Sequence, residues 1–323
     1  MILPYLLRLL CLSLAAFFLV HLTLGLIVSL IAPAAIRIAD RARPCWATRF
    51  LLILRLLPSG LSLFVVVGLC VPSYLKLEPE TTSEHVGLAC FVAALLGLTI
   101  WGISISRGVR ASVHSLRFIR HCGRVGRQRR LAGERSPIWI IEDAGHILAL
   151  AGVMRPRLVV SRDVLSALSP RELAAALRHE RAHQISRDNL KRLFMLLTPD
   201  MFPFFRGYGA LERGWAKFSE WAADDTAVAG NPHRSLALAA ALVRVARLGA
   251  SPQPSALMTS LLGSTQDLSA RVDRLLHSSP DRERKTPLLI VSTTLLLFGS
   301  LVAVVLQPST LHSVHQLLEH LIR

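Results

Sequence analysis

Charged residues are scarce in this 323-residue sequence, where Asp, Glu, Lys and Arg make up 18% and hydrophobic residues 52%. This balance is too apolar for a soluble protein, and it also excludes a disordered chain or a collagen-like repeat. The five cysteines include no CxxC pair, which excludes a disulfide scaffold and a thiolate zinc module. Part of the chain is therefore expected to lie in a lipid bilayer.

Four stretches contain no Asp, Glu, Lys or Arg and are long enough to span a membrane as helices, for which about 20 apolar residues suffice. They are residues 9–36, 56–75, 86–106 and 287–306. The apolar core of the first is longer than that of a signal peptide, which favours a retained helix over a cleaved leader. Arg55 lies just before the second stretch, and we expect its side chain to extend toward the membrane surface.

The distribution of basic residues predicts the orientation of these helices, because positively charged loops stay in the cytoplasm. Four arginines follow the first stretch, acidic residues outnumber basic ones after the second, and eight arginines without an acid occupy residues 107–130. The sequence thus predicts a multi-pass inner-membrane protein with its amino terminus outside and the tail from residue 307 outside. The predicted domains are residues 1–110 with three helices, a cytoplasmic domain at 111–285, and residues 286–323 with the fourth helix and a short tail.

The arginine-rich stretch at residues 107–130 also raises the possibility of nucleic-acid binding, given a net charge of +16. Phe118 is the only aromatic residue among these arginines, so a platform for stacking bases is not supported. Retention of the stretch in the cytoplasm and contact with anionic lipid are the simpler explanation. We therefore predict the lipid bilayer, and not nucleic acid, as its partner.

The predicted cytoplasmic domain begins with strand signals at residues 137–143 and 157–161, separated by turn-forming Gly and Pro. Ser169 and Glu172 then form a capping box with Pro170 at the first helical position. This is a strong helix start, and the helix is predicted to run from Pro170 to Asp188 or beyond. A small sheet followed by helices indicates an α+β domain.

The predicted helix carries an HExxH pattern formed by His179, Glu180 and His183. Residues four apart share one face of a helix, so both imidazoles can reach one Zn²⁺ ion while the glutamate is placed to activate a water molecule. The composition of the chain would give this pattern by chance only about 0.015 times. A solvated helix face with accidental histidines is therefore the weaker explanation.

A third zinc ligand is needed, because catalytic zinc takes three protein ligands and leaves a position for water or substrate. Residues 211–229 are predicted to form a second helix that carries Glu220 and, one turn later, Asp224. Glu220 is the candidate ligand, and Asp224 and Asp188 are candidates to hold the histidine ligands from behind. The alternative for each carboxylate is an exposed acidic face. The predicted cofactor is one Zn²⁺ per chain.

Taken together, His179, Glu180, His183 and Asp188 with the ExxAD motif at residues 220–224 resemble the integral-membrane gluzincin peptidases. This group includes the HtpX-type proteases and the BlaR/MecR antirepressor peptidases, and residues 152–180 are also similar to theirs. The layout with the zinc domain between the third and fourth helices is closer to BlaR/MecR. One departure is that only residues 307–323 follow the last helix, where BlaR/MecR sensors carry a penicillin-binding domain.

The resemblance implies a mainly α membrane protein with four transmembrane helices and a cytoplasmic α+β zincin-like metalloprotease domain. Its activity would be zinc-dependent cleavage of a protein or peptide, with Glu180 as the catalytic base. An extended substrate would pair with an edge strand, for which residues 145–152 are the local counterpart. The substrate would be a cytoplasmic transcriptional repressor or a membrane protein.

Other functions remain open at this level. The main alternative is a membrane signalling receptor or scaffold that retains a peptidase fold. An intramembrane protease is disfavoured because Arg178, Arg181 and Asp188 make the HExxH helix unsuited to lipid. A di-iron oxidase would need a second Glu-x-x-His motif, which the sequence lacks. The apolar residues 190–205 are predicted to be packed core or, alternatively, a gate over the site.

Overall fold

A computed structural model describes residues 4–77, 86–130, 137–142, 145–200, 206–249, 257–261, 268–277 and 316. Within these ranges the chain is mostly helical and has one small sheet. Three helical stretches are long and apolar enough to cross a membrane, at Tyr5–Asp40, Pro44–Lys76 and Leu88–Val125. The fourth predicted membrane helix, at residues 287–306, lies outside the described residues.

The first of these stretches is helix α1 (Tyr5–Asp40) and the third is α4 (Leu88–Val125). The second consists of α2 (Pro44–Val65), a π-helical turn (Val66–Cys70) and α3 (Val71–Leu77). α4 continues well past residue 106, where the apolar stretch ends, because its second half packs on the sheet. Its Phe118, Ile119 and Cys122 join a core cluster with Trp139. Most of the arginine-rich stretch thus belongs to a helix that packs against the sheet.

Arg55 does not extend toward a membrane surface, so this prediction is wrong. Its side chain is 1% exposed and donates a hydrogen bond of 2.8 Å to Glu212 and one of 3.2 Å to the hydroxyl of Thr198. The two acceptors belong to later parts of the chain that pack against α2. The sequence alone gave no sign of this pairing, because 157 positions separate Arg55 from Glu212.

The sheet contains β1 (Arg127–Arg129), β2 (Ile138–Ile141), β3 (Leu148–Ala151), β4 (Arg157–Ser161) and β5 (Met258–Ser260) in the order β1-β2-β4-β3-β5. β2 and β4 confirm the predicted strands and pair in parallel, while the other pairs are antiparallel. The prediction of an edge strand at residues 145–152 is wrong. β3 lies between β4 and β5, with Leu150 opposite Thr259.

The remaining helices are α5 (Arg162–Ala167), α6 (Pro170–Ser186), α7 (Asp188–Leu197), α8 (Arg206–Val228), α9 (Pro232–Arg247) and α10 (Leu268–His277). One core cluster joins α6, α9 and α10 to the sheet through residues that include Val160, Ala176, Leu242 and Leu275. A second cluster packs α8 and Met195 of α7 against α1 and α2. Two packed regions therefore meet along α8.

The start of α6 agrees with the prediction and its end does not. The Ser169 hydroxyl accepts a hydrogen bond from the Glu172 N–H, and the Glu172 carboxylate accepts one of 2.7 Å from the Ser169 N–H. The helix ends at Ser186 because Arg187 adopts a left-handed conformation with φ of 55°. The next helix, α7, therefore starts in a new direction at Asp188, which brings the Asp188 carboxylate to His183.

Candidate metal centre

His179, Glu180 and His183 lie on the buried side of α6, and all three are 0% exposed. Small residues on neighbouring positions, Ala175, Ala176 and Ala182, allow this side to pack closely. Burial of three ionisable groups on one helix carries a large desolvation cost unless other charges compensate it. The surroundings of these residues should therefore contain matching charges.

Glu220 of α8 completes a triangle with the two histidines. The Nε2 atoms of His179 and His183 lie 3.1 Å apart, and the Glu220 oxygens lie 3.4 Å from His179 Nε2 and 3.6 Å from His183 Nε2. Ligands at about 2.0–2.1 Å from a tetrahedral zinc ion lie about 3.3 Å from each other. The triangle therefore fits a tetrahedral ion with one position open. Among the described residues it is the group of His, Cys, Asp and Glu side chains that could hold a metal ion.

The far side of each imidazole is held by an aspartate. His183 Nδ1 lies 2.7 Å from Asp188, and His179 Nδ1 lies 2.9 Å from Asp224. Ser219 donates a further hydrogen bond of 2.9 Å to Asp188. The contact of His183 with Asp188 is a hydrogen bond, whereas that of His179 with Asp224 is close but poorly aligned for one. Both Nε2 atoms face the centre of the triangle. The structure thus brings together all six residues that the sequence singled out.

Arg271 of α10 is part of this site, although the sequence analysis did not identify it. Its guanidinium forms two hydrogen bonds to Asp224, at 2.9 and 2.7 Å, and lies 3.0 Å from a Glu220 oxygen. It also donates one of 2.8 Å to the carbonyl oxygen of Leu261, next to β5. A signal was available, because Arg271 lies on the same helical face as Leu268, Val272 and Leu275. A charged residue in such an apolar stripe has to find a buried partner.

Among the described residues around the triangle, the buried carboxylates outnumber the arginine and lysine side chains that pair with them. Four carboxylates are buried here, Glu180, Glu220, Asp188 and Asp224. Their basic partners are Arg271 and Lys191, of which Lys191 lies 2.8 Å from Asp188. The two remaining negative charges can be balanced by protons on the imidazoles or by a divalent ion. Both oxygens of Glu180 are buried and lack a hydrogen-bond partner within the described part of the chain.

The pKa values of the site reflect the same imbalance. Burial raises the pKa of Glu180 to about 7, against the opposing effect of the two histidines. Burial also opposes the charged forms of Glu220 and His183, but their partners outweigh it. Arg271 and His183 hold the pKa of Glu220 well below its usual value, while Glu220 and Asp188 raise that of His183 to about 10. Without a metal, the carboxylates thus retain a proton on the imidazole, and a divalent ion would take its place.

A buried His/His/Glu triangle beside the buried carboxylate of Glu180, on helices packed against a small sheet, is the arrangement of a metallopeptidase. The comparison with family models gives the same class, since the model of Peptidase family M48 matches residues 126–252. The match covers less than half of the chain, from β1 through α9, and includes all six predicted site residues but not Arg271. No curated protein matches the chain. M48 peptidases are zinc-dependent, so the family match and the triangle agree on the metal.

Proposed function

We propose that this protein is a zinc-dependent, membrane-bound endopeptidase of the gluzincin type. The observation that carries the proposal is the triangle of His179 Nε2, His183 Nε2 and the Glu220 carboxylate. The two nitrogens lie 3.1 Å apart, and the two carboxylate oxygens lie 3.4 Å from His179 Nε2 and 3.6 Å from His183 Nε2, close to the ligand spacing around a tetrahedral zinc ion. In this proposal the three residues bind one Zn²⁺ per chain. Asp188 and Asp224 fix the tautomer and the orientation of the two imidazoles.

Glu180 is the proposed catalytic base. When bound, zinc would lower the pKa of a coordinated water molecule to about 7 and polarise the carbonyl group of the scissile peptide bond. Glu180 would accept a proton from the attacking water and then transfer it to the nitrogen of the leaving amine. Glu180 is buried and its carboxylate lies next to both histidines on α6, which suits it to receive the proton of the water and to pass it on.

Strand β5 affects how a substrate can bind at this site. A peptide that pairs with β3, as the resemblance implies, would use backbone hydrogen bonds and would therefore be weakly selective for side chains. In the described structure that side of β3 is paired with Met258–Ser260. The proposal therefore includes an opening step in which β5 separates from β3 before a peptide binds.

The proposed setting is the inner membrane. Arginine-rich segments are expected to stay in the cytoplasm, so the proposed catalytic domain, residues 111–285, lies there. The amino terminus and the tail from residue 307 would then lie outside. The layout supports a relative of the BlaR/MecR antirepressor peptidases or of the HtpX-type proteases. Its substrate would accordingly be a cytoplasmic repressor or a membrane protein.

The experiment that tests this function compares cells expressing the wild type with cells expressing Glu180→Gln. Peptides with new termini are mapped by mass spectrometry in both the membrane and the soluble fractions. Cut sites that appear only with the wild type would support the peptidase and identify its substrate class. If the two cell types give the same cut sites, the proposed peptidase is refuted and the alternative of a receptor or scaffold with a retained peptidase fold is favoured instead.

A further inference from the structure

Helix α8 runs from the apolar helices to the candidate metal centre. At its beginning, the Gly207 N–H donates a hydrogen bond of 3.1 Å to the Ser29 hydroxyl of α1. A Cβ atom at Gly207 would lie 2.5 Å from the Cα of Ser29, so the two backbones are in direct contact. In its last two turns or so, the same helix carries Glu220 and Asp224. One continuous helix thus contacts α1 and α2 near its beginning and carries a proposed zinc ligand near its end.

The contact between α2 and α8 is centred on the buried Arg55. Its guanidinium lies over the ring of Tyr208 at 4.4 Å and forms an ion pair of 2.8 Å with Glu212, both residues of α8. It also contacts the Thr198 hydroxyl at 3.2 Å and the Met195 carbonyl oxygen at 3.5 Å at the end of α7. Because a guanidinium has a fixed, planar set of donors, the two partners on α8 define the position of that helix relative to α2, and the other two define that of the end of α7.

Glu212 and Glu220 are separated by about two turns of α8, or about 12 Å along its axis. An α-helix is stiff over this length because each turn is hydrogen-bonded to the next, so a shift of α8 at Glu212 displaces Glu220 as well. The two histidines lie on a different helix, α6, whose backbone is also held by packing against the sheet and α9, so a shift of α8 would move Glu220 relative to that backbone. Ligand distances in zinc sites stay within about 0.2 Å of their usual values. A small shift of α8 would therefore weaken the metal site.

We propose that Arg55 and Glu212 are positioning residues that act through α8 to set the distance of Glu220 from His179 and His183. The proposal rests on the zinc function above and adds a regulatory link to it. A change in the packing of α1 and α2, caused by a signal or by the lipid environment, would be transmitted to the metal ligand. Zinc affinity and turnover would then change without any contact between the signal and the site.

The test measures the zinc affinity of the full-length protein in detergent micelles by competition with a chromophoric chelator. Arg55→Met is expected to weaken zinc binding about tenfold or more, as loss of a group that orients a ligand does elsewhere. Asp40→Asn is the matched control, since it breaks another ion pair to α8, that of Lys217 and Asp40 at 3.0 Å, which is exposed. It should change the affinity less than about twofold.

A double-mutant cycle then separates positioning from general loosening of the fold. In a Glu220→Gln background, Arg55→Met should weaken zinc binding by less than about twofold, because its effect acts through the Glu220 carboxylate. A further tenfold loss in that background would overturn the proposal, as would unchanged affinity in Arg55→Met alone. If Arg55→Met does not fold, Glu212→Gln replaces it, because this side chain is one-third exposed and tolerates the change. A wild type that binds no zinc would instead refute the proposed function.

Discussion

The Nε2 atoms of His179 and His183 lie 3.1 Å apart, close enough for a hydrogen bond but with an aspartate already holding each Nδ1. If each Nδ1 carries its proton toward the aspartate, both Nε2 lone pairs point at each other and repel. A proton or a cation between them would relieve this repulsion, and the guanidinium of Arg271, 3.5 Å from His179 Nε2, offsets part of it. The pair of histidines therefore favours binding of a positive charge, and the buried carboxylate of Glu220 strengthens this preference.

Metal removal should accordingly destabilise the protein. We expect the purified wild type to contain about one zinc per chain by elemental analysis, and zinc at about 100 times its Kd to add about 2.7 kcal/mol of stability. His183→Ala should lose both the zinc and this stabilisation, while the exposed His233→Ala should keep them. The measurement is the thermal unfolding temperature with and without a chelator. Iron in place of zinc would argue for a different class of metalloenzyme.

Glu180→Gln should separate metal binding from catalysis. The amide has nearly the same shape but cannot accept the proton of the attacking water, so kcat should fall roughly 100- to 10,000-fold. Zinc content should stay at the wild-type level because Glu180 is not one of the three proposed ligands. Arg178→Gln, two positions earlier and exposed, is the control and should keep most of the activity. Undiminished cleavage by purified Glu180→Gln would show that another group is the base.

Local sequence signals predicted the elements that form locally. The capping box of Ser169 and Glu172 marks the start of α6, and the HExxH spacing brings His179 and His183 to one face because a helix repeats every 3.6 residues. Glu220 and Asp224 follow the same rule on α8. The residues of the candidate site on these two helices could therefore be identified before the helices were known to be neighbours.

Features that depend on distant parts of the chain could not be predicted. Arg271 reaches Asp224 across 47 positions, and Arg55 reaches Glu212 across 157. The pairing of β3 with β5 is equally remote, which is why β3 was expected at an edge. In each case tertiary packing determines the partner, and no periodicity or capping pattern in the sequence predicts which residue that partner is.

The two aspartates behind the histidines should matter for metal affinity. Asp224→Asn keeps the size of the side chain but weakens its hold on His179 Nδ1, so zinc affinity should fall about 10- to 100-fold. Asp225→Asn is a matched control one position later, because Asp225 pairs with Arg274 at an exposed position. Competition with a chelator measures both. Equal affinities for Asp224→Asn and the wild type would mean that this aspartate does not orient the ligand.

Arg271 should stabilise the site before zinc is bound. Removing it leaves Glu220 and Asp224 without their buried counter-charge, which should cost about 3–5 kcal/mol in the zinc-free protein. Zinc supplies positive charge to the same carboxylates, so Arg271→Met should cost less in the zinc-bound form. Arg274→Met, three positions later and more exposed, is the control. Denaturant unfolding with and without zinc measures the difference, and an equal cost in both forms would contradict the electrostatic explanation.

The β3–β5 pairing should respond to a bound peptide. The Leu261 N–H donates a hydrogen bond of 3.1 Å to the Leu148 carbonyl oxygen, so this amide should exchange slowly with solvent in the free protein. A zinc-chelating peptide hydroxamate that pairs with β3 has to displace residues 257–261, and their exchange should then accelerate about tenfold or more. Amides of β4, which pairs with the other side of β3, should stay protected and serve as the internal control. If Leu261 keeps its protection while the hydroxamate is bound to zinc, β5 is a permanent strand and substrates bind along another surface.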